Sequence, residues 1–396
     1  MFKPMGSSQQ QKCIMIIAGE ASGDLHGSKL VLAMRKKNSD LFFCGIGGQA
    51  LRDAGVKIIV DASQLSVVGI SEVFSKMPGL FRGMSVAKKL LKSLKPDLLI
   101  IIDFPDFNLH IAKAAKKLEI PVLYYISPQV WAWRPGRVKK IRKIVDHVAV
   151  ILPFEEKFFR KHQIQATFVG HPLLDTHLLL EGSSLEKNVE DIPVIGLLPG
   201  SRDREIAKLL PVMLQSARML LERDKNMKFI VSLAPSIERK FVETIVEEHR
   251  GEYNFELVSD SVENVLKRCR FALVASGTVT LEAAIFGIPM IIIYKVSSVT
   301  YWLGKMLVRS RVKNFGLVNL IAGREISPEL LQGEVSSKKI ADMAFEMLND
   351  ASGLEKTRKE LLGIRDELGG TGASKRVADI AMNMLEKLKP NDKIKR

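Results

Sequence analysis

The stretch KCIMIIAGEASGDLHGSK, residues 12–29, decides the fold, because in it a short apolar run passes through a loop of glycines into a helical pattern. An apolar run of this length, bounded by a loop, is typical of a strand buried on both faces of a parallel sheet. Gly19, Gly23 and Gly27 let the backbone turn tightly and let a ligand approach the first helix, whose free N–H groups favour an anion or a hydroxyl-rich molecule. The spacing is neither GxGxxG nor GxxxxGKS/T, so the loop lacks the pattern of dinucleotide sites and P-loops.

Polar side chains crowd the same loop, namely Glu20, Ser22, Asp24 and His26. Glycines alone would only mark a strand-to-helix turn. The polar cluster beside them favours a binding site.

Apolar runs and helix-like stretches alternate along the rest of the chain in the same way. In the first half the runs are DLFFCGIGG, KIIVDA, DLLIIIDFPD, VLYYISP and HVAVILP; in the second half they are PVIGLLPGS, KFIVSLAP, FELVS, FALVASG and PMIIIYK. This alternation predicts parallel sheets covered by helices on both faces. Because 396 residues exceed what one core usually serves, we predict an α/β protein with two doubly wound, Rossmann-like domains. They divide near residues 171–193, where glycine, serine and acidic residues interrupt the pattern.

Composition narrows the class of protein. The hydrophobic content of 46% and the charged content of 26% are ordinary for a soluble globular protein. No apolar run approaches the ~20 residues of a membrane-spanning helix, and the polar N-terminus lacks the pattern of a signal peptide, so we expect a cytoplasmic protein. Cys13, Cys44 and Cys269 are scattered and lack CxxC spacing, which indicates neither a disulfide framework nor a zinc site.

The net charge of +15 is concentrated in the N-terminal half. Residues 1–175 carry 26 basic and 14 acidic side chains, a net charge of +12, whereas residues 176–396 carry 33 and 30, a net charge of +3. This asymmetry predicts that the N-terminal half faces something anionic: a membrane surface, a phosphorylated substrate or a nucleic acid.

Three further loops carry site chemistry, since ligands of doubly wound sheets bind at the carboxyl ends of the strands. In LLPGSRDREI, Ser201 can cap a helix and Arg202 would lean over a diphosphate, although a solvated surface arginine is equally compatible with the sequence. In SGTVTLEAAIFGIP, Glu282 falls where a carboxylate could accept both hydroxyls of a ribose. The segment NLIAGRE brings Asn319, Arg324 and Glu325 close together.

Seven segments, in order, resemble the motifs of the lipid-A-disaccharide synthase family: GEASGD (19–24), IDFPDFN (102–108), SPQVWAWRPGRVKKIRK (127–143), FVGHPLLD (168–175), LLPGSR (197–202), SGTVTLEAA (276–284) and NLIAGRE (319–325). The resemblance covers nearly the whole chain, from about residue 14 to the final helix. GEASGD and SPQVWAWR are specific to this family, whereas the glycine loops alone would not identify it. No motif position departs from the family pattern.

The resemblance implies a glycosyltransferase of GT-B type, in which two Rossmann-like domains face a cleft. Residues 1–175 would bind the acceptor and face the membrane, residues 176–370 would bind the UDP-sugar, and the C-terminal helix, residues 371–396, would pack back on the N-terminal domain. The implied reaction is inverting: UDP-2,3-diacylglucosamine donates its sugar to 2,3-diacylglucosamine 1-phosphate (lipid X). It gives the lipid A disaccharide 1-phosphate and UDP, a step of lipopolysaccharide biosynthesis.

Asp103 is the candidate base that takes the proton of the acceptor hydroxyl, because it ends the apolar strand LLIIID and the resemblance implies that role. By position alone, a helix cap or a loop acid is the better interpretation of this residue. Glu20 is the second catalytic candidate, and Asp106 and His26 are further rivals. The candidate acceptor-binding residues are Ser22, Asp24, His26, Asp106, Trp133, Arg134 and His171.

Loops of the second half would hold the donor. The candidate UDP-binding residues are Gly200, Ser201, Arg202, Ser276, Gly277, Thr278, Glu282, Asn319, Arg324 and Glu325. The chain contains no DxD segment that would hold a metal. We therefore expect neither a metal nor another cofactor, with Arg202, Asn319 and a helix N-terminus compensating the charge of the leaving diphosphate.

Residues 73–96 contain six basic side chains and no acidic one. Apolar residues at spacings of three and four predict an amphipathic helix that starts near Pro78. A helix that only covers the sheet would show the same apolar stripe. Phe74 and Phe81 add apolar surface beyond that stripe, which favours contact with acyl chains or with an anionic membrane surface. Six more basic residues follow in 134–143. We expect peripheral association with the inner membrane, and an oligomer is also compatible with the sequence.

Two alternative functions remain at this point. Another UDP-N-acetylglucosamine enzyme of the same architecture, such as the peptidoglycan-precursor transferase or a 2-epimerase, would share the fold, but SPQVWAWR argues against both. A basic RNA-binding protein would share the charge, but RNP, KH and zinc signatures are absent from the sequence, so we expect no nucleic-acid partner.

Overall fold

The computed structural model describes residues 11–64, 70–131, 136–177, 192–295 and 314–387. The chain divides into two units, of which unit 1 consists of Met1–Asp175 and Gly370–Arg396 and unit 2 of Thr176–Gly369. Each unit contains one parallel sheet with helices packed on it. The prediction of two doubly wound α/β domains is therefore confirmed.

The strands of unit 1 are β1 (Cys13–Ala18), β2 (Phe42–Gly47), β3 (Lys57–Asp61), β4 (Leu98–Ile102), β5 (Val122–Tyr125), β6 (His147–Val150) and β7 (Ala166–Phe168). They pair in parallel in the order β3-β2-β1-β4-β5-β6-β7. Alternate side chains point to opposite faces, so β1 sends Ile14 and Ile16 into one apolar cluster and Met15 and Ile17 into another. Every residue of β4 is buried, which explains its continuous apolar run.

The helices that follow these strands are α1 (Ala21–Lys37), α2 (Gln49–Asp53), α3 (Ile70–Leu94), α4 (Pro105–Lys117), α5 (Gly136–Ile144), α6 (Pro153–Lys161) and α7 (Leu173–His177). The helix α3 differs from its prediction, because it begins at Ile70 and continues through Pro78. A proline removes one hydrogen bond of the helix, a local cost that packing along a 25-residue helix outweighs.

The apolar stripe of α3 contributes to the core of unit 1 in its second half. Ala87 and Leu91 are fully buried, and Met84 packs against the same cluster. Phe81, in contrast, is 63% exposed and Leu94 is 42% exposed. The covering-helix interpretation therefore holds for this part of α3, while Phe81 lies outside the core; the side chain of Phe74 is outside the described residues.

Unit 2 has the strands β8 (Val194–Leu198), β9 (Lys228–Ser232), β10 (Glu256–Val258), β11 (Phe271–Ala275), β12 (Met290–Tyr294) and β13 (Glu329–Leu331), in the parallel order β10-β9-β8-β11-β12-β13. Its helices are α8 (Asp203–Arg223), α9 (Arg239–His249), α10 (Val262–Arg268), α11 (Val279–Ile285), α12 (Leu317–Ala322), α13 (Ser337–Asn349) and α14 (Ala351–Glu367). In both sheets the strand order reverses beside the first strand, between β1 and β4 and between β8 and β11. Ligands of such folds bind where the order reverses, so these two loop pairs position the candidate sites.

The C-terminal helix α15 (Ala373–Glu386) packs on α1 of unit 1, as the sequence predicts. Its apolar face, which includes Val377 and Ala381, joins the core cluster of that side of the sheet. The Asp175 carboxylate accepts the backbone N–H of Gly372, next to the first residue of α15. Arg376 Nε donates to the carbonyl oxygen of Val169 at 2.7 Å. These hydrogen bonds hold the start of α15 to unit 1, where the chain returns after unit 2.

Candidate functional site

Asp103 lies directly after β4, at the carboxyl edge of the unit 1 sheet. Its backbone φ is +44°, and that of Phe104 is also +44°, in the left-handed region that non-glycine residues seldom adopt. Asn108 Nδ2 donates hydrogen bonds to the carbonyl oxygens of Ile102 (3.0 Å) and Asp103 (2.7 Å). The Tyr124 hydroxyl also donates a hydrogen bond to the Asp103 carbonyl oxygen (3.1 Å). Backbone strain of this kind costs about 1–3 kcal/mol per residue and is typical of functional sites.

Gly19, which follows β1, lies against the aromatic ring of Phe104. A Cβ atom at position 19 would come within 2.3 Å of that ring, so only glycine fits there without displacing Phe104. The loops after β1 and β4 are therefore in direct contact. This contact is expected, because the carboxyl ends of neighbouring parallel strands meet at one edge of a sheet.

The two acids predicted to be catalytic interact with each other. Burial raises the pKa of the Asp103 carboxyl from its ordinary 3.8 to about 6, and the negative charge of Glu20 adds to this effect. Glu20 itself is exposed at the N-terminus of α1. A carboxylate with a pKa near 6 is ionised at neutral pH and is basic enough to take a proton during a reaction.

Asp24 has a structural role that the sequence analysis missed. Its side chain is buried, and its carboxylate accepts the backbone N–H groups of Gly48 (2.6 Å), Ala50 (2.9 Å) and Leu51 (3.4 Å). These bonds cap the N-terminus of α2. The predicted substrate contact of Asp24 stays a prediction, and the structure adds a capping role that engages both carboxylate oxygens. Ser22 is exposed in the first turn of α1 and is available to a ligand.

The predicted histidines His26 and His171 interact inside unit 1. Burial lowers the pKa of His26 to about 4, and the charge of Lys29 contributes in the same direction. Burial lowers the pKa of His171 to about 3, with a smaller contribution from His26. Both imidazoles are therefore neutral at pH 7 and carry no positive charge. His171 Nδ1 accepts the backbone N–H of Leu173 at 3.3 Å.

Asp106 is exposed in the first turn of α4 and forms an ion pair with Arg137 of α5. Burial raises the pKa of Tyr124, and the positive charge of Arg137 acts in the opposite direction. The Tyr124 hydroxyl is the group that donates to the Asp103 carbonyl oxygen. The sequence analysis did not select Arg137 or Tyr124 as site residues. The pairing of β4 with β5 brings Tyr124 to Asp103, and the packing of α4 against α5 brings Arg137 to Asp106. Sequence spacing carries no signal of either contact.

The predicted acceptor-binding residues Trp133 and Arg134 lie outside the described residues. Their roles stay predictions. The chain is described on both sides of them, at Trp131 and from Gly136 onward.

Unit 2 contains a cavity of about 220 Å³ at the carboxyl ends of β8 and β11. It brings together six of the predicted UDP-binding residues, namely Gly200, Ser201, Ser276, Gly277, Thr278 and Glu282. Gly200 has a φ of +112°, and a Cβ atom there would come within 2.6 Å of the Glu205 carboxylate, which explains the glycine of LLPGSR. Glu205 also lines the cavity, a position that the sequence analysis did not assign to it.

Arg202 precedes α8 and is 72% exposed. Its guanidinium lies 3.4 Å from the carboxylate of Glu205, the residue that reaches the cavity wall. An exposed pair of this kind contributes only about 0–1 kcal/mol, so Arg202 can exchange Glu205 for an anionic ligand at little cost.

Asn319 has a structural role that the sequence does not reveal. It is fully buried in α12, and its amide nitrogen donates to the Ser327 carbonyl oxygen (2.7 Å) and to Glu329 Oε1 (2.6 Å). Its amide oxygen accepts the backbone N–H groups of Ile326 (2.7 Å) and Ser327 (3.0 Å). All four hydrogen-bonding positions of the amide are occupied within unit 2. The predicted contact of Asn319 with the diphosphate stays a prediction.

Arg324 and Glu325 are exposed after α12. Arg324 pairs with Glu360 of α14 at 3.1 Å. Among the described residues, neither Arg324 nor Glu325 lines the unit 2 cavity. Their predicted contact with UDP stays a prediction.

In the described ranges, His, Cys, Asp and Glu side chains nowhere form a group of three that could hold a metal ion. Within the same ranges, every helix is too short or too polar to cross a membrane.

Comparison with known proteins identifies relatives over nearly the full chain. The family model described as lipid-A-disaccharide synthetase matches residues 14–382. The lipid-A-disaccharide synthase of Syntrophus aciditrophicus is 43% identical over 382 residues, covering 95% of this chain and 98% of the relative. That of Geobacter metallireducens is 44% identical over 389 residues, covering 97% and 100%, and that of Coxiella burnetii (strain Dugway 5J108-111) is 40% identical over 347 residues, covering 86% and 89%.

Solved structures share the fold at low sequence identity. UDP-GlcNAc 2-epimerase from Neisseria meningitidis, bound to UDP-GlcNAc, gives a TM-score of 0.63 at 13% identity and covers 94% of this chain and all of that chain. The calicheamicin glycosyltransferase CalG4 gives 0.59 at 14% identity, with 96% and 100% coverage. Acinetobacter baumannii MurG gives 0.57 at 12% identity, with 94% and 99% coverage. At such low identity these likenesses establish the architecture and leave the chemistry to the site.

Proposed function

The chain belongs to the lipid-A-disaccharide synthase family, and from that premise we propose that it transfers the sugar of UDP-2,3-diacylglucosamine to lipid X. The products are the β-1,6-linked lipid A disaccharide 1-phosphate and UDP. The extent of the family match carries this proposal, because relatives named for this activity cover 95% and 97% of the chain at 43% and 44% identity. The match therefore spans both units.

Asp103 is the proposed base of the transfer. The 6-hydroxyl oxygen of lipid X attacks the anomeric carbon of the donor, the bond from that carbon to the UDP oxygen breaks, and the hydroxyl proton passes to Asp103. The hydrogen bonds from Asn108 and Tyr124 to the Asp103 turn support this role, because they fix the backbone that carries the carboxylate. The raised pKa of Asp103, about 6, suits a base that works near neutral pH.

The cavity of unit 2 is the proposed UDP site. Glu282 would accept the ribose hydroxyls, as a carboxylate does in other doubly wound nucleotide sites. The turn at Ser201 and the guanidinium of Arg202 would stabilise the diphosphate as it leaves. In this proposal the leaving group needs no metal ion.

The basic surface of α3 supports a contact with an anionic membrane, where both lipid substrates would reside. Arg82, Lys88, Lys89 and Lys92 are exposed along this helix, and Phe81 is exposed with them. Basic side chains near an anionic bilayer contribute about 1 kcal/mol each, and an exposed aromatic ring adds apolar contact. We place the protein at the cytoplasmic surface of the inner membrane on this basis.

A turnover assay tests the proposed function. Purified protein is supplied with UDP-2,3-diacylglucosamine alone, with lipid X alone, and with both, and the release of UDP is followed. The proposal expects UDP release only with both substrates, and Asp103→Asn should lower kcat by about 10²- to 10⁴-fold while leaving UDP binding intact. Release of UDP at the same rate without lipid X would contradict it, because hydrolysis or another acceptor would then explain the turnover.

A further inference from the structure

Arg137 is a basic residue near the proposed base to which the proposed mechanism gives no role. It is the second residue of α5, and only 18% of its side chain is exposed. Val138 and Ile141 of the same helix are buried in the core of unit 1, so α5 is held firmly against its neighbours. The guanidinium therefore has a fixed position before any ligand binds, which lowers the cost of binding one.

The positive charge of Arg137 is compensated from a neighbouring helix. The first turn of α5 contains no acidic residue, and the guanidinium donates instead to the carboxylate of Asp106 in the first turn of α4. The two partners differ in exposure, because 79% of the Asp106 side chain is exposed. A carboxylate so well solvated gains little from an ion pair. Another anion can therefore replace Asp106 on the guanidinium at little cost.

Arg137 lies at the same edge of the sheet as Asp103. Its partner Asp106 follows Asp103 by three residues, at the start of α4. The Tyr124 hydroxyl, which donates to the Asp103 carbonyl oxygen at 3.1 Å, is near both groups. Burial raises the pKa of Tyr124, the charge of Asp103 adds to this effect, and the charge of Arg137 opposes it. A molecule bound with a hydroxyl at Asp103 thus has a fixed positive charge close by.

The proposed acceptor carries a group that matches this charge. In lipid X the attacking 6-hydroxyl and the 1-phosphate belong to one sugar ring, so the ring sets the distance between them. A phosphate monoester carries about −1.5 to −2 charges at pH 7. The planar fork of a guanidinium can donate two parallel hydrogen bonds to it, which a single carboxylate contact at the surface does not match in charge.

We propose that Arg137 binds the 1-phosphate of the acceptor in place of Asp106, and so selects a phosphorylated sugar at the Asp103 site. The proposal rests on the proposed function, since it takes lipid X as the acceptor. It concerns acceptor selection alone, because Arg137 belongs to unit 1 and the proposed UDP site to unit 2. A phospholipid headgroup also presents a phosphate, so the experiment measures membrane binding separately.

Two neutral variants of the full-length protein test the proposal. Arg137→Gln and Arg137→Met remove the charge and keep a side chain that can pack along α5. Kinetics are measured in detergent without phospholipid, with lipid X and with 2,3-diacylglucosamine, which lacks the phosphate. Each variant should raise the KM for lipid X by about 10- to 100-fold, the range expected for lost hydrogen bonds between charged groups. The KM for 2,3-diacylglucosamine and the KM for the donor should stay as in the wild type.

The matched control is Lys139→Gln, which removes an exposed positive charge from the same helix. It should keep the wild-type preference for lipid X. Arg137→Gln should also bind vesicles of anionic phospholipid as tightly as Lys139→Gln does, because the proposal assigns Arg137 to the acceptor. Thermal melting is measured for every variant. Since Asp106 stays solvated without its partner, both Arg137 variants should fold, and Arg137→Met decides the question if Arg137→Gln is unstable.

The proposal is overturned if an Arg137 variant melts like the wild type and keeps its preference for lipid X. It is also overturned if the KM values of both acceptors rise together, or if Lys139→Gln loses the preference to the same extent. Weaker vesicle binding by Arg137→Gln with an unchanged preference would assign the residue to phospholipid instead. A wild-type enzyme without turnover of lipid X would refute the proposed function, so the two failures are distinguishable.

Discussion

The substitution Glu20→Gln removes a negative charge that raises the pKa of Asp103. In the wild type that pKa is raised from 3.8 to about 6, with burial as the larger cause and Glu20 as the smaller one. Removing Glu20 should lower the pKa of Asp103 by less than this whole displacement of about two pH units, because burial, the larger cause, remains. A base acts in its deprotonated form, so kcat/KM falls as the pH drops through the pKa of Asp103. The midpoint of this acid limb should therefore move from near 6 to a lower pH in Glu20→Gln.

The assay is the pH dependence of kcat/KM for lipid X at saturating donor, which reports the ionisation of groups in the enzyme–donor complex. Asp103→Asn is the control and should lose the limb altogether. If Glu20 were the base instead, its Gln variant would lose the limb and Asp103→Asn would retain it. A limb that keeps its midpoint in Glu20→Gln, or moves to higher pH, would refute the electrostatic reasoning.

Three further predictions address the other parts of the site. Arg202→Ala should lower kcat/KM by about 10²-fold, while EDTA should leave the wild-type rate unchanged; loss of activity on chelation that Mg²⁺ restores would contradict a metal-free leaving group. Gly19→Ala should lower kcat by about 10- to 100-fold, because its Cβ atom must displace the Phe104 ring beside Asp103, and it should leave stabilisation by UDP intact, as a thermal-shift assay can measure. Phe81→Ser should keep the melting temperature and weaken binding to vesicles of anionic phospholipid, whereas Leu91→Ser should destabilise the fold by about 2–5 kcal/mol; equal destabilisation by both would place Phe81 in the core.

The fold follows from sequence patterns that act over short distances. Continuous apolar runs predict buried parallel strands, and β4, β8 and β11 are buried along their whole length. The strands β3 and β10 also form where predicted, but they lie at sheet edges and are partly exposed. The loops at the strand ends were equally visible, because glycine and small polar residues are needed wherever the backbone turns closely past a side chain or a ligand. Six residues from two such loops, predicted from the sequence, line one cavity of unit 2.

Partners that are distant in sequence were the part that could not be predicted. The sequence does not reveal that the Asp24 carboxylate accepts backbone N–H groups at the start of α2. The sequence equally does not reveal the four hydrogen bonds that Asn319 makes to residues 326–329, because they form only in the folded chain. Arg137 was overlooked within a basic run for the same reason, since only the packing of α4 and α5 singles it out.

Analysis of the reaction product tests the central claim most directly. Purified protein is incubated with UDP-2,3-diacylglucosamine and lipid X, and the lipid product is characterised by mass spectrometry and by NMR of its glycosidic linkage. The account predicts one tetra-acylated disaccharide 1-phosphate with a β linkage to the 6-hydroxyl, formed in a one-to-one ratio with UDP. A product with an α linkage would contradict inverting transfer, and an epimerised UDP-sugar without any disaccharide would contradict the proposed activity.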